Sequence, residues 1–252
     1  MTTTQASTAA QPKIQIITFY KFIALSDEQV ERVRQKLNAL ETSLAARGLC
    51  IMGREGVNAT FSVPLESATD FKNQVQEILQ EPYIQFKDSF ADFYPFHDFK
   101  IKIRQEIVTL DRPDLVPHKR HHHLSPEDWH KALQEKDVIV IDTRNSYEFE
   151  IGRFRNALDP KTRNFNEFPQ WVKNELPKHL SPEAQKNPTE QKILIYCTGG
   201  IRCEKAILEM EEQGYTNVYQ LDGGILNYIE KSGGLWDGEC FVFDYRVAVD
   251  NQ

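Results

Sequence analysis

The chain has 252 residues, room for one large domain or two of ordinary size. With 40% hydrophobic and 27% charged residues it has the make-up of a soluble globular protein, and no apolar run approaches the ~20 residues of a membrane span. A formal net charge of −7 argues against nucleic-acid binding through the whole surface, while leaving room for a local basic patch.

Residues 1–12 lack the basic and apolar regions of a secretory signal and read as a disordered arm. Residues 13–108 read as the first domain. The apolar-rich run over 14–20 predicts a strand. Ser26, with Gln29 three residues on, is a capping box opening a helix in which Val30, Val33, Leu37, Leu40 and Leu44 recur at helical spacing until Gly48. Short strands over 49–52 and 57–62 flank a Gly53-Arg54-Glu55-Gly56 turn, and Asn58 is expected in a glycine-containing turn facing a cleft. Ala68, Phe71, Val75 and Ile78 mark a second helix; residues 84–86 begin a fourth strand, and 100–108 give a further one. The order βαββαβ is the split-βαβ, ferredoxin-like arrangement.

Residues 109–123 show no periodicity and read as a linker. From Lys100 to His123 the basic residues Lys100, Lys102, Arg104, Arg112, Lys119 and Arg120 outnumber Glu106, Asp111 and Asp114. This stretch is either a phosphate-binding patch or a solvated connection. His121, His122 and His123 are adjacent, and adjacent histidines rarely converge on one ion, so no metal site is assigned.

Residues 124–252 alternate helix and strand. Ser125-Pro126 opens a helix with proline at its first position. Residues 138–141 form an all-apolar run suited to a strand buried on both faces. A helix is expected over 168–176, strands over 193–196 and 218–221, and between those strands a helix whose inner face is Cys203, Ala206, Ile207 and Met210. The expected architecture is a parallel sheet with helices on both faces and a site at the strands' C-terminal ends.

That site centres on Cys197-Thr198-Gly199-Gly200-Ile201-Arg202-Cys203. A strand ending in cysteine, turning through two glycines and opening a helix favours a thiolate. Glycines let successive N–H groups point at one spot, the helix N-terminus adds partial positive charge, and Arg202 adds a full one. Cys197 is therefore the candidate nucleophile or redox centre. Arg202 lowers the thiol pKa or holds an anion, and Thr198, Gly199, Gly200 and Ile201 contribute shape through their N–H groups. Cys203 either supports the loop or resolves an oxidised Cys197. Asp142 and Arg144, at the end of a buried strand, are expected to form a structural ion pair, and Glu148 a similar support. Cys50 and Cys240 read as core residues. Four cysteines at irregular spacing do not make a disulfide framework, which points to reduced thiols and a cytoplasmic setting.

At these residues the chain resembles the rhodanese domain: four residues separate Cys197 from Arg202, and Asp142-Thr143-Arg144, Glu148, the segment from Gly152 to Ala157, and Leu221-Asp222-Gly223-Gly224-Ile225 match its early and late signatures. The combination of Asp142 to Glu148, Cys197 to Lys205 and Gly238 to Asp244 with Glu55 to Thr60 and Glu106 to Thr109 resembles, more narrowly, the tRNA uridine hydroxylase family, which pairs a ferredoxin-like domain with a rhodanese domain. The resemblance covers roughly residues 14–249. It implies oxygen-dependent hydroxylation at C5 of the wobble uridine, with molecular oxygen as co-substrate and tRNA as partner. The runner-up functions are a thiosulfate or persulfide sulfurtransferase and a non-catalytic tRNA-binding or persulfide-carrier module. A cysteine phosphatase needs one more residue before its arginine. Arg153 stands where rhodaneses carry histidine, Ala59 replaces a glycine the family favours, and longer members continue past Val249 into a cysteine-containing extension, so that a function housed there is expected to be absent or supplied elsewhere. No Rossmann glycine fingerprint, haem motif or iron triad is legible, so the sequence gives no bound cofactor and leaves a metal requirement and the electron source open.

Overall fold

The computed structural model describes residues 13–118, 122–231, 234–242, 246 and 248–249. The first half is built from β1 (Ile14–Phe22), α1 (Asp27–Ser43), β2 (Arg47–Gly53), β3 (Gly56–Pro64), α2 (Ala68–Leu79), β4 (Lys87–Ala91) and β5 (Phe99–Ile103). The Ser26 hydroxyl accepts the Gln29 N–H and the Gln29 side chain accepts the Ser26 N–H, so the capping box forms as the sequence predicts. The sheet order is β4-β1-β3-β2-β5, the ferredoxin-like order with β5 added parallel to β2. Alternation sorts the strand residues: Ile17, Phe19, Cys50, Met52, Val57, Ala59, Phe61 and Val63 bury against Val33, Leu37 and Leu40 of α1 and Phe71 and Val75 of α2.

Three expectations are corrected here. The fourth strand starts at Lys87, three residues later than the apolar run 84–86; Ile84 packs into the core but lies outside the ladder. The strand expected over 100–108 ends at Ile103, because residues beyond it turn to pin the two halves together. Asn58 lies within β3, paired with Tyr20 and Ile51, and donates from Nδ2 to the Ile107 carbonyl at 3.0 Å.

The second half continues with β6 (His123–Leu124), α3 (Pro126–Ala132), β7 (Ile139–Asp142), α4 (Ser146–Ile151), β8 (Gly152–Phe154), α5 (Phe168–Asn174), α6 (Pro182–Lys186), β9 (Ile193–Tyr196), α7 (Ile201–Glu212), β10 (Val218–Leu221), α8 (Gly224–Lys231), β11 (Trp236–Gly238), β12 (Cys240–Phe241) and β13 (Ala248–Val249). Strands β6-β10-β9-β7 form a parallel sheet. One core, with Phe168, Val172, Ala206, Ile207 and Met210, covers one face; another, with Trp129, Phe154, Ile225 and Tyr228, covers the other. His123 joins this sheet opposite Gln220, one residue before the expected domain start. The helix expected over 168–176 stops at Asn174, and a 3-10 turn follows over Leu176–His179, where Pro177 lacks the N–H to continue it.

The halves are joined by a buried ion triad. Lys205, fully buried on α7, donates to Glu106 Oε2 at 2.6 Å and forms an ion pair with Glu55 Oε2 at 2.8 Å. Glu55 sits in the β2–β3 turn and its Oε1 accepts the Ile107 N–H; Glu106 Oε1 accepts the Asp111 N–H. Burial raises the Glu55 carboxyl although Lys205 pulls it down. Lys205→Met leaves two carboxylates buried without their cation, and should lower the unfolding free energy at neutral pH by about 3–5 kcal/mol in urea titrations. Burial already raises the Glu55 carboxyl and the variant removes the Lys205 charge that pulls it down, so part of the lost stability should return as the pH falls and Glu55 takes up a proton. A loss below about 1 kcal/mol would show that the triad does not hold the halves.

Candidate active site

Strand β9 delivers Cys197 to the end of the parallel sheet, where the chain turns through Thr198-Gly199-Gly200 into α7. Gly200 has φ +98°, which a side chain rarely adopts, and its N–H donates to Cys197 Sγ at 3.0 Å. The late glycine pair closes the loop from behind. A Cβ on Gly224 would lie 2.5 Å from the Thr198 carbonyl oxygen and 2.6 Å from that of Cys197, while the Ile225 N–H donates to the Cys197 carbonyl at 3.0 Å.

Cys197 is 1% exposed. Burial alone pushes its thiol up. The hydrogen bond from the Cys203 thiol, the Arg202 charge, and the backbone N–H groups of Cys203 and Arg202 outweigh that, and the group ends well below the ordinary thiol value. Cys203 shifts the other way, raised by burial and by the neighbouring Cys197 charge, so it stays protonated and donates. Its sulfur lies 3.6 Å from Thr143 Oγ1.

Arg202 donates to Glu148 from both terminal nitrogens, at 2.7 and 2.8 Å. The pair is nearly dry: Glu148 is fully buried and Arg202 is 8% exposed. Burial raises the Glu148 carboxyl, but Arg202 more than reverses this and it stays ionised. Glu148 also accepts the Asn145 N–H and the Thr198 hydroxyl, so Thr198 contributes its side chain and not shape alone. Asp142 and Arg144, both fully buried, pair at 2.7 Å, and Arg144 donates to the Gly152 carbonyl. They brace the strand end beside the loop.

The sequence reading missed Tyr20 and Lys87, which come from the first half and cover the loop. Lys87 Nζ donates to the Gly199 carbonyl and lies 4.8 Å from the Tyr20 ring centroid. Burial lowers its ammonium to about 8, against the opposing pull of Cys197, Asp222 and Glu204. The Tyr20 hydroxyl donates to Glu204 Oε1 at 2.8 Å and would sit 3.1 Å from a Cβ on Gly200. Glu204 also accepts from Gln220, and its Oε1 meets His123 Nε2 at 3.1 Å. The one available signal was alternation: on β1, Thr18 and Tyr20 are polar where Ile17 and Phe19 are apolar.

The remaining candidates fall elsewhere. Lys100 and Lys102 are exposed on β5, Arg104 follows that strand, and Lys119 and Arg120 lie outside the described residues. Arg112 is committed to Asp114, Glu209 and Glu212. His122 meets the Val218 carbonyl while His123 meets Glu204, so the two rings diverge. Arg153 is exposed with its guanidinium over Phe149, and Ala59 packs in the first core. A cavity of about 780 Å³ between the first sheet and the connecting segment, lined by Phe22, Arg54, Arg104 and His118, contains none of the Cys197 loop.

The pairing of a low thiolate with a protonated neighbour predicts its own titration. The ultraviolet thiolate absorbance lost in Cys197→Ser should have a midpoint below about pH 7, and both Cys203→Ala and Lys87→Met should move that midpoint upward. A wild-type midpoint at the ordinary ~8.5 would show that the loop does not stabilise the thiolate.

Comparison with known proteins matches residues 14–107 to the UPF0176 acylphosphatase like domain and residues 125–231 to the Rhodanese-like domain. The chain is 45% identical over 239 residues to a tRNA uridine(34) hydroxylase of Bdellovibrio bacteriovorus, covering 93% of this chain and 65% of that protein. It is 41% identical to one from Legionella pneumophila strain Paris, covering 94% of this chain and 91% of the other, and 39% identical to one from Prochlorococcus marinus strain NATL2A, covering 95% and 75%.

Proposed function

The chain belongs to the tRNA uridine(34) hydroxylase family, and we propose that it hydroxylates C5 of the wobble uridine of tRNA, forming 5-hydroxyuridine. In this reading molecular oxygen is the co-substrate. One oxygen atom enters the C5–H bond and the other leaves as water, with two electrons and two protons supplied by a reductant.

The observation that carries the reading is that the Cys197 thiolate lies under residues of both halves: Lys87 and Tyr20 of the first sit against the Gly199-Gly200 turn of the second. A sulfurtransferase needs only the rhodanese half. A thiolate can add to C6 of uracil, forming a C–S bond and moving the C5–C6 electron pair onto an enolate that ends at O4. Carbon 5 then becomes nucleophilic toward electrophilic oxygen. Arg202 is held bidentately by Glu148 and tunes the thiol, and in this reading the Lys87 ammonium, which meets the same loop at the Gly199 carbonyl, is the cation that stabilises the enolate. Loss of the C5 proton and departure of the thiolate restore the base.

The test is the nucleoside content of tRNA from cells lacking the protein, complemented with wild type or Cys197→Ala. 5-Hydroxyuridine and its derivatives, measured by mass spectrometry, should disappear in the deletion and return with wild type alone. An unchanged level in cells with no redundant pathway would put the sulfurtransferase reading first.

A further inference from the structure

The face of the first sheet opposite its helices leads directly into the thiol site. The ladder register places Lys87, Thr18, Thr60, Leu49 and Lys100 in one row across all five strands, and Tyr20, Asn58, Ile51 and Lys102 in the row beside it. At a strand spacing of about 4.8 Å, the first row runs about 19 Å from Lys87 to Lys100. The strand residues on this face include the cations Arg47, Lys87, Lys100 and Lys102 and no Asp or Glu, although the chain as a whole carries −7. On this face Thr18, Thr60, Leu49 and Ile51 are half-buried and Lys100 and Lys102 exposed, whereas Phe19, Ala59, Phe61 and Cys50 on the opposite face are buried; beside the row, Ile16 and Ser62 are buried and Ser89 accepts from Arg246. Thr18 and Thr60 meet through their hydroxyls at 3.1 Å, and Leu49 offers a flat apolar contact beside them.

We propose that this face is the RNA-binding surface: the single-stranded loop of the substrate crosses the sheet along the Lys87–Thr18–Thr60–Leu49–Lys100 row, with phosphates near the lysines and the target base at the Lys87 end. The identity of the ligand rests on the hydroxylase reading; the location of the surface rests on register, charge and continuity with Cys197. A row of this length spans a few nucleotides of extended strand, and single-stranded loops are the part of an RNA whose bases are free to be splayed over a sheet. Lys100 pairs with Asp98 at 2.6 Å, but both side chains are 61% exposed, so water screens the pair and a phosphate displaces the carboxylate at little cost. Arg47, at the rim, lies 4.3 Å from the Tyr94 ring centroid.

The test is the binding of a fluorescent anticodon stem-loop RNA carrying the wobble uridine, followed by anisotropy over a salt series. Lys100→Ala with Lys102→Ala should weaken binding about tenfold and flatten the slope of log K against log salt by about 1–1.5, the loss of two phosphate contacts. The same pair of substitutions at Lys72 and Lys131, away from this face, should change neither quantity. Unchanged affinity and slope in the Lys100/Lys102 variant, while wild type binds, would overturn the surface and leave the hydroxylase reading to its nucleoside test. Normal binding with reduced 5-hydroxyuridine formation would also overturn it, and so would a wild-type protein without measurable RNA affinity.

Discussion

The contact on which the arrangement depends is the Lys205 ammonium held between Glu55 and Glu106. It joins a turn of the first sheet, the connecting segment and α7, and all three side chains are buried. A carboxylate pair around one cation is expensive to bury, so the triad is a device for position more than for net stability. Its position matters because Lys205 is on the first turns of α7, the helix that also carries Arg202, Cys203 and Glu204. Fixing Lys205 against the first domain fixes where Tyr20 and Lys87 come down on the Cys197 loop.

The same helix solves an electrostatic problem at its N-terminus. A thiol with 1% exposure should be neutral on burial alone. The protein instead surrounds the sulfur with donors that already point inward: Gly200 N–H, the N–H groups of Arg202 and Cys203, and the Cys203 S–H. Arg202 supplies full charge, but a buried guanidinium needs an anion of its own, and Glu148 provides it. The site is therefore a chain of alternating charges, Glu148, Arg202, Cys197 and Lys87, running from the second domain's interior to the first domain's sheet. Removing one member changes the titration of the next, which is why the thiol's pH dependence reports on residues in both halves.

Much of the local structure was legible because it is written in local chemistry. Ser26 and Gln29 cap α1, Ser125 and Pro126 open α3, and the glycine turn after an apolar strand identifies the thiol. What was missed depends on contacts between distant segments. Periodicity reports burial, so the apolar run 84–86 looked like a strand although pairing with β1 begins at Lys87. Asn58 carried the composition of a turn and lies in a strand, since cross-strand partners and the Ile107 carbonyl satisfy it. Lys87 and Tyr20 looked like ordinary strand residues because nothing in their neighbourhood shows which domain will face them. Glu55 and Glu106 belonged to recognised family segments, but their common partner Lys205 is visible only in three dimensions.

The net charge of −7 and the basic sheet face are compatible because they act over different distances. Exposed acidic residues such as Asp27, Glu28 and Glu31 on α1 and Asp70 and Glu77 on α2 lie on the helix side of the first domain, away from the open face. Beyond about 8–10 Å, physiological salt screens most of their repulsion, whereas a phosphate resting on Lys100 or Lys102 feels the local cation. An acidic exterior also suppresses indiscriminate adhesion to nucleic acid, which suits a proposed RNA surface whose own strand residues include no Asp or Glu. On that face the row of side chains ends at Lys87, against the loop that carries the thiolate, so that in the proposed binding mode orientation of the RNA and delivery of its base would follow from the same register.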